Sequence, residues 1–226
     1  ALQQCTTGDR NVAFGKNSLN DCTTGGYNSV FGTYTGQKIT TGSQNTLLGM
    51  YAGRYITTGN ENVAVGSNAL SNATSGAQGS KNTAVGRESG YGVTSAHSGV
   101  FIGFKAGYGV TSGWYNTIIG SDAGKAITTG SRNTLVGNLS GENITGEYNV
   151  FLGDRSGYNG TSGNNNICLG YDTYKSSATV ANEVTIGNSN ITKFRIPGIN
   201  FTVKDTTATE DYVLTVDANG EAGWEA

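Results

Sequence analysis

Charge is scarce in this chain of 226 residues: only 13% of it is Asp, Glu, Lys or Arg, with 14 basic residues against 16 acidic ones and no basic run. That balance offers no field for a polyphosphate, which excludes nucleic acid as a partner. A net charge of -2 is also too small to hold the chain open by repulsion. Long apolar runs are missing as well. No segment approaches the roughly 18 residues of a membrane span, and the opening Ala1-Leu2-Gln3-Gln4-Cys5 lacks the basic and apolar regions of an export signal, so no membrane insertion is expected. The single histidine, His97, cannot supply a Ser-His-Asp or Cys-His set, and no nucleophile elbow is present. Three cysteines without paired short spacing argue against zinc. The expectation is a non-enzyme with no cofactor and no metal.

What is abundant is glycine, 36 residues against one proline, and it recurs in register. An apolar residue followed by glycine, with asparagine four before it at nine of the positions, ends at Gly15, Gly32, Gly49, Gly66, Gly86, Gly103, Gly120, Gly137, Gly153, Gly170 and Gly187. Eight of the ten intervals are 17 residues, the others 20 and 16. Such a period is the mark of a stacked repeat. The alternation around the glycine predicts a short strand in each unit, and a unit of this length with two short strands makes one coil of a parallel β-solenoid. About eleven coils are expected over 1–187, and a C-terminal β module over 188–226. In that module Ile199–Val203 and Tyr212–Val216 read as strands and Asp217–Gly220 as a turn; it is expected to cap the last coil.

Aligned on the glycine, the residue before it is always apolar: Phe14, Phe31, Leu48, Val65, Val85, Ile102, Ile119, Val136, Leu152, Leu169 and Ile186. This column is expected to be the core. The column one residue earlier, including Val30, Leu47, Phe101, Ile118, Leu135 and Phe151, points the other way and is also largely apolar. A strand apolar on both faces is covered on both, so these six are the expected subunit contacts, and Leu135→Asp is expected to prevent assembly. Asn11, Asn28, Asn45, Asn62, Asn82, Asn116, Asn133, Asn149 and Asn166 are expected to form a structural ladder of side-chain amides, interrupted by Gly99 and ended by Glu183. The second half of the unit carries a small residue and often glycine, then an aliphatic residue before a Thr-Thr-Gly or Thr-Ser-Gly turn. Cys5 and Cys22 share that aliphatic column, either as two buried thiols or as a disulfide between adjacent coils.

Asn11-Val12-Ala13-Phe14-Gly15 and Asn62-Val63-Ala64-Val65-Gly66 resemble the repeat of trimeric autotransporter adhesin heads. The longer unit with its Thr-Thr-Gly turn, and the ending Phe194–Gly198 through Asp217–Trp224, are similar to tail-fibre and spike proteins of phages and large aquatic viruses. The resemblance implies a homotrimer of left-handed parallel β-rolls on a virion surface, acting in virus-to-host attachment through a host cell-surface glycan or protein; the alternative is an extracellular or cell-surface setting. Tyrosines gather in the turns, where exposed rings can stack on sugars. Tyr51, Tyr55, Tyr108, Trp114, Tyr115 and Tyr148 are the candidate glycan contacts. A bacterial trimeric surface adhesin and a filament-forming structural protein are the alternatives. The repeated threonines add an ice-binding solenoid, which thermal hysteresis would identify.

Overall fold

The computed structural model describes residues 1–71, 79–193, 213–216 and 222–225. It divides into two compact units, Ala1–Asn190 and Ile191–Ala226. The first is a parallel β-solenoid of about ten turns, with no helix among the described residues. Its strands are β1 (Val12–Phe14), β2 (Ser29–Phe31), β3 (Thr46–Leu48), β4 (Val63–Val65), β5 (Thr83–Val85), β6 (Val100–Ile102), β7 (Thr117–Ile119), β8 (Thr134–Val136), β9 (Val150–Leu152), β10 (Ile167–Leu169) and β11 (Val184–Ile186). They form one parallel sheet in chain order, and equivalent residues face each other throughout, as in Val12↔Ser29 and Leu135↔Phe151. The intervals of 20 and 16 residues leave this register intact. In the second unit β12 (Val213–Val216) pairs antiparallel with β13 (Ala222–Glu225). The strand expected at Ile199–Val203, the turn at Asp217–Gly220 and the Phe194–Gly198 segment lie outside the described residues.

Each coil has one strand, not the two expected. The second half cannot extend, because two residues apart in it take left-handed backbone, as at Asp122 (φ 52°) and Gly124 (φ 53°). A third left-handed corner precedes the strand at Tyr27, Gln44, Glu61 and their equivalents, where the turned N–H reaches the preceding coil, as from Tyr27 to Asp9 O at 3.0 Å. The motif glycine closes the strand with a φ near +130°, and close stacking demands its lack of a side chain: a Cβ at Gly120 would lie 2.2 Å from Gly137 O. At the Thr-Thr-Gly corner three successive N–H groups converge on one carbonyl a coil away. Thr23, Thr24 and Gly25 all donate to Thr40 O, and the Thr23 hydroxyl joins them at 3.1 Å.

The expected asparagine ladder is present, running through the interior as two chains of amides on either side of Gly99. In the first, Asn62 Nδ2 donates to Asn45 Oδ1 and Gly79 O, and its own Oδ1 accepts from the backbone N and Nδ2 of Asn82. In the second, Asn133 Nδ2 donates to Asn116 Oδ1 and Gly146 O, Asn149 Nδ2 to Asn133 Oδ1 and Gly163 O, and Asn166 Nδ2 to Asn149 Oδ1. The link from Asn133 to Asn149 spans the 16-residue repeat, so the deletion in the turn does not break the ladder. Asn28, Asn45, Asn62, Asn82, Asn116, Asn133, Asn149 and Asn166 are buried, and the hydrogen bonds meet the desolvation cost of so many amides; Asn11, in the first coil, is half-buried. At Gly99 the ladder is interrupted: a Cβ there would lie 2.5 Å from Cζ of Phe101, whose ring takes the asparagine's space.

The expected core is inverted. Val30, Leu47, Phe101, Ile118, Leu135 and Phe151 are fully buried inside a single chain and cannot be subunit contacts. They pack with the aliphatic column of Ile39, Val110 and Ile127. Of the residues expected inside, Phe14, Phe31, Leu48, Val85, Ile102, Leu152 and Ile186 are exposed; Val65, Ile119, Val136 and Leu169 are half-buried. Phe14 is 74% exposed and Leu48 51%. The interior of so short a coil accepts one strand residue, and it is the one sharing a face with the buried asparagine two positions before it.

Candidate interaction surfaces

Three surfaces follow from this geometry. The first is the outer face of the sheet, where the residue before each motif glycine stands beside Val12, Val63, Val100, Val150, Ile167 or Val184 in six strands and beside Ser29, Thr46, Thr83, Thr117 or Thr134 in the other five. Eleven rows at about 4.8 Å make a strip roughly 50 Å long and about 10 Å wide, or roughly 500 Å². The largest apolar patch on an ordinary monomer is of about that size and is often functional. Met50, Phe104 and Tyr171, just past the glycine, add exposed apolar area at one margin.

The second surface lies beyond that margin, on the corner holding Tyr51, Tyr55 and Tyr108. Tyr34 and Tyr51 stack with ring centres 5.5 Å apart, and Tyr91 and Tyr108 at 5.1 Å. The Arg54 guanidinium lies over Tyr34, Tyr51 and Tyr55 at 4.9 to 5.3 Å and donates from Nε to Gln37. Burial, then the neighbouring Tyr108, Glu88 and Tyr55, raise the pKa of Tyr91. The cations further along are matched by acids: Lys105 with Glu88, Lys125 with Asp122 at 3.0 Å and Arg155 with Asp172 at 3.1 Å. The ring faces here are largely occupied by one another and by cations.

The third surface is the opposite margin of the sheet, the left-handed corner before each strand. Trp114, Tyr115 and Tyr148 project there, 49%, 55% and 48% exposed. Arg132 stands between the two tyrosines, 5.6 Å from the Tyr115 ring centre and 5.3 Å from that of Tyr148, whose hydroxyl it meets at 3.0 Å. His97 approaches Trp114 edge-on at 5.8 Å and accepts a hydrogen bond from Ser80 N. The six candidate glycan contacts therefore fall into two groups of three on different corners. Arg54, which lies over Tyr51 and Tyr55, and Arg132, which lies over Tyr115 and Tyr148, carry no signal in the sequence beyond their position in the repeat.

Among the described residues no group of three His, Cys, Asp or Glu is placed to hold a metal. Cys5 and Cys22 are free thiols that donate to Gly8 O and Gly25 O, and burial pushes the Cys22 thiol up, with Cys5 adding to it. Buried Lys175 fills a gap at the last turns: Gly160 lacks the aliphatic side chain of its column, and the lysine stem lies 2.8 Å from where its Cβ would be. Its ammonium donates to Ser162 O and Ala178 O, while burial lowers its pKa. No family model, curated protein or solved structure matches the chain.

Proposed function

We propose that the chain is a structural and attachment segment of a homotrimeric fibre, of the kind its repeat resembles in viral tail fibres and spikes, and that it binds host-surface glycans multivalently rather than catalysing a reaction. The exposed apolar strip on the outer sheet face carries the reading. A partner that covers every row must repeat at the same rise as the coils, and a second copy of the chain meets that condition. Two such strips face to face bury roughly 1,000 Å², the threshold for a specific interface. The count of three comes from the likeness of Asn11-Val12-Ala13-Phe14-Gly15 to trimeric adhesin heads. Three parallel copies would present each corner three times, so that weak contacts add as avidity.

The ice-binding alternative draws less support, because at several turns the first threonine spends its hydroxyl on the next coil, as Thr40 does on Thr57 O and Thr111 on Thr128 O. Light scattering of the chain in solution tests the reading. A mass three times the 23.3 kDa of one chain is expected, falling to that of one chain in Ile102→Asp with its circular dichroism unchanged. A wild-type chain that stays monomeric at high concentration overturns it.

A further inference from the structure

We infer that the corner formed by Trp114, Tyr115, Arg132 and Tyr148 is a binding site for an anionic glycan, one bearing carboxylate or sulfate groups. The inference rests on the attachment reading above and gives it a ligand class and a place on the coil.

The site spans three successive coils. Tyr115, Arg132 and Tyr148 occupy one column, and their backbones are pinned by left-handed φ angles of 58°, 57° and 60° and by N–H bonds to the preceding coil. Arg132 N donates to Trp114 O at 2.8 Å, and Tyr148 N to Ser131 O at 3.1 Å. The side chains are therefore presented from fixed backbone positions although they stand in solvent. Half-exposed indole and phenol rings offer apolar faces to the C–H face of a pyranose and hydroxyls to its rim.

The charge of Arg132 selects among sugars. Arg10, Arg87 and Arg155, like Lys38, Lys105 and Lys125, lie within 4 Å of an acid. Arg132 does not: among the described residues it has only the two tyrosine rings and the Tyr148 hydroxyl, and Glu147, next to Tyr148, makes no ion pair with it. An exposed guanidinium oriented by flanking rings keeps donors for the oxygens of a carboxylate or a sulfate. Arg54 is also held by tyrosines, but three rings crowd it; at Arg132 the adjoining Trp114 is open.

Calorimetric titration of the full chain with oligogalacturonate, heparin-type oligosaccharides and neutral malto-oligosaccharides tests the assignment. Binding of the uronate or the sulfated series is expected with half-saturation below about 1 mM, weakening as salt is added, with little response to the neutral series. Arg132→Gln should weaken it about tenfold, Trp114→Ala by a similar factor, and Arg132→Lys should restore only part. No binding by either anionic series, or affinity unchanged in Arg132→Gln, overturns the inference. Light scattering of the same variants keeps its failure apart from that of the assembly reading, because their mass should equal the wild-type value. A lower mass would make this corner a contact between copies and overturn its assignment to a glycan.

Discussion

Leu47 and Leu48 are neighbours of the same type in β3, yet one has no exposed surface and the other keeps about half of its own. The contrast repeats in almost every strand. Inside the coil the column varies widely in size, from Ala84 to Phe101 to Ile118, and the surrounding backbone adapts: Gly107 lies so close to Phe101 that a Cβ there would sit 2.4 Å from its ring. Outside, seven of the eleven members of the column of Phe, Leu, Ile and Val stay exposed and the other four are half-buried. Variation inside has to be balanced within the chain, whereas much of the apolar surface outside is left uncovered by the chain itself.

The largest predicted effect separates these two neighbours. Leu47→Asp places a carboxylate in a dry interior with no cation near it, a cost exceeding about 4 kcal/mol, and should abolish the cooperative unfolding transition seen by circular dichroism. Leu48→Asp should leave the β-sheet spectrum in place and reduce the mass in light scattering to that of one chain. Equal effects of the two on folding would remove the distinction between the faces. Leu135→Asp belongs with Leu47→Asp: it should unfold the chain rather than only prevent assembly.

The coil, its period and its register were legible because the glycine, the asparagine and the apolar residue recur at one spacing. Inside and outside were assigned in reverse, because alternation gives two faces without saying which is buried when both are apolar. The deciding signal was present: an asparagine stacked on itself away from water, as Asn133 is on Asn116 and Asn149 on Asn133, must point inward, and the residue two positions on shares its face. The left-handed corner before the strand was not legible. Tyr27, Glu61, Lys81 and Arg132 occupy it without glycine, and only the stacked hydrogen bonds of a formed solenoid hold such residues there. Grouping the aromatic candidates required knowing that corner, so the pairing of Arg132 with Tyr115 and Tyr148 could not be read beforehand.

A smaller effect is expected where the inner column disturbs the ladder. Gly99 has no positive φ, so space rather than backbone strain bars an asparagine there. Restoring the repeat residue with Gly99→Asn should cost about 1–3 kcal/mol through collision with Phe101, and Phe101→Ile alone should also destabilise by leaving a void. Together they should cost less than their sum, since the smaller side chain admits an amide that bridges Asn82 and Asn116. Urea unfolding of both single variants and the double gives the coupling. Additivity would mean that the ring and the missing asparagine are unrelated.

The smallest predicted effect concerns Cys168, which stands in the inner column between Phe151 and Thr185. Burial is the main cause pushing its pKa up from 9.0 to about 11, with the charge of Glu183 adding to it. A thiol harder to ionise when folded than when unfolded contributes stability that is full below pH 9.0 and is lost as the pH rises through about 11. Lys175 works in the opposite sense: its lowered pKa makes the folded state gain stability as the pH climbs toward the ordinary lysine value of 10.5, and this partly masks the loss. Comparing Cys168→Val with the parent removes the part of the lysine contribution that comes from its burial, and leaves the part that the Cys168 thiolate itself adds. Their stabilities should keep a constant difference up to about pH 9 and shift in favour of the valine chain above it. A difference that stays constant to about pH 11 would mean that the thiolate is solvated in the folded chain and that the inner column is open to water at that turn.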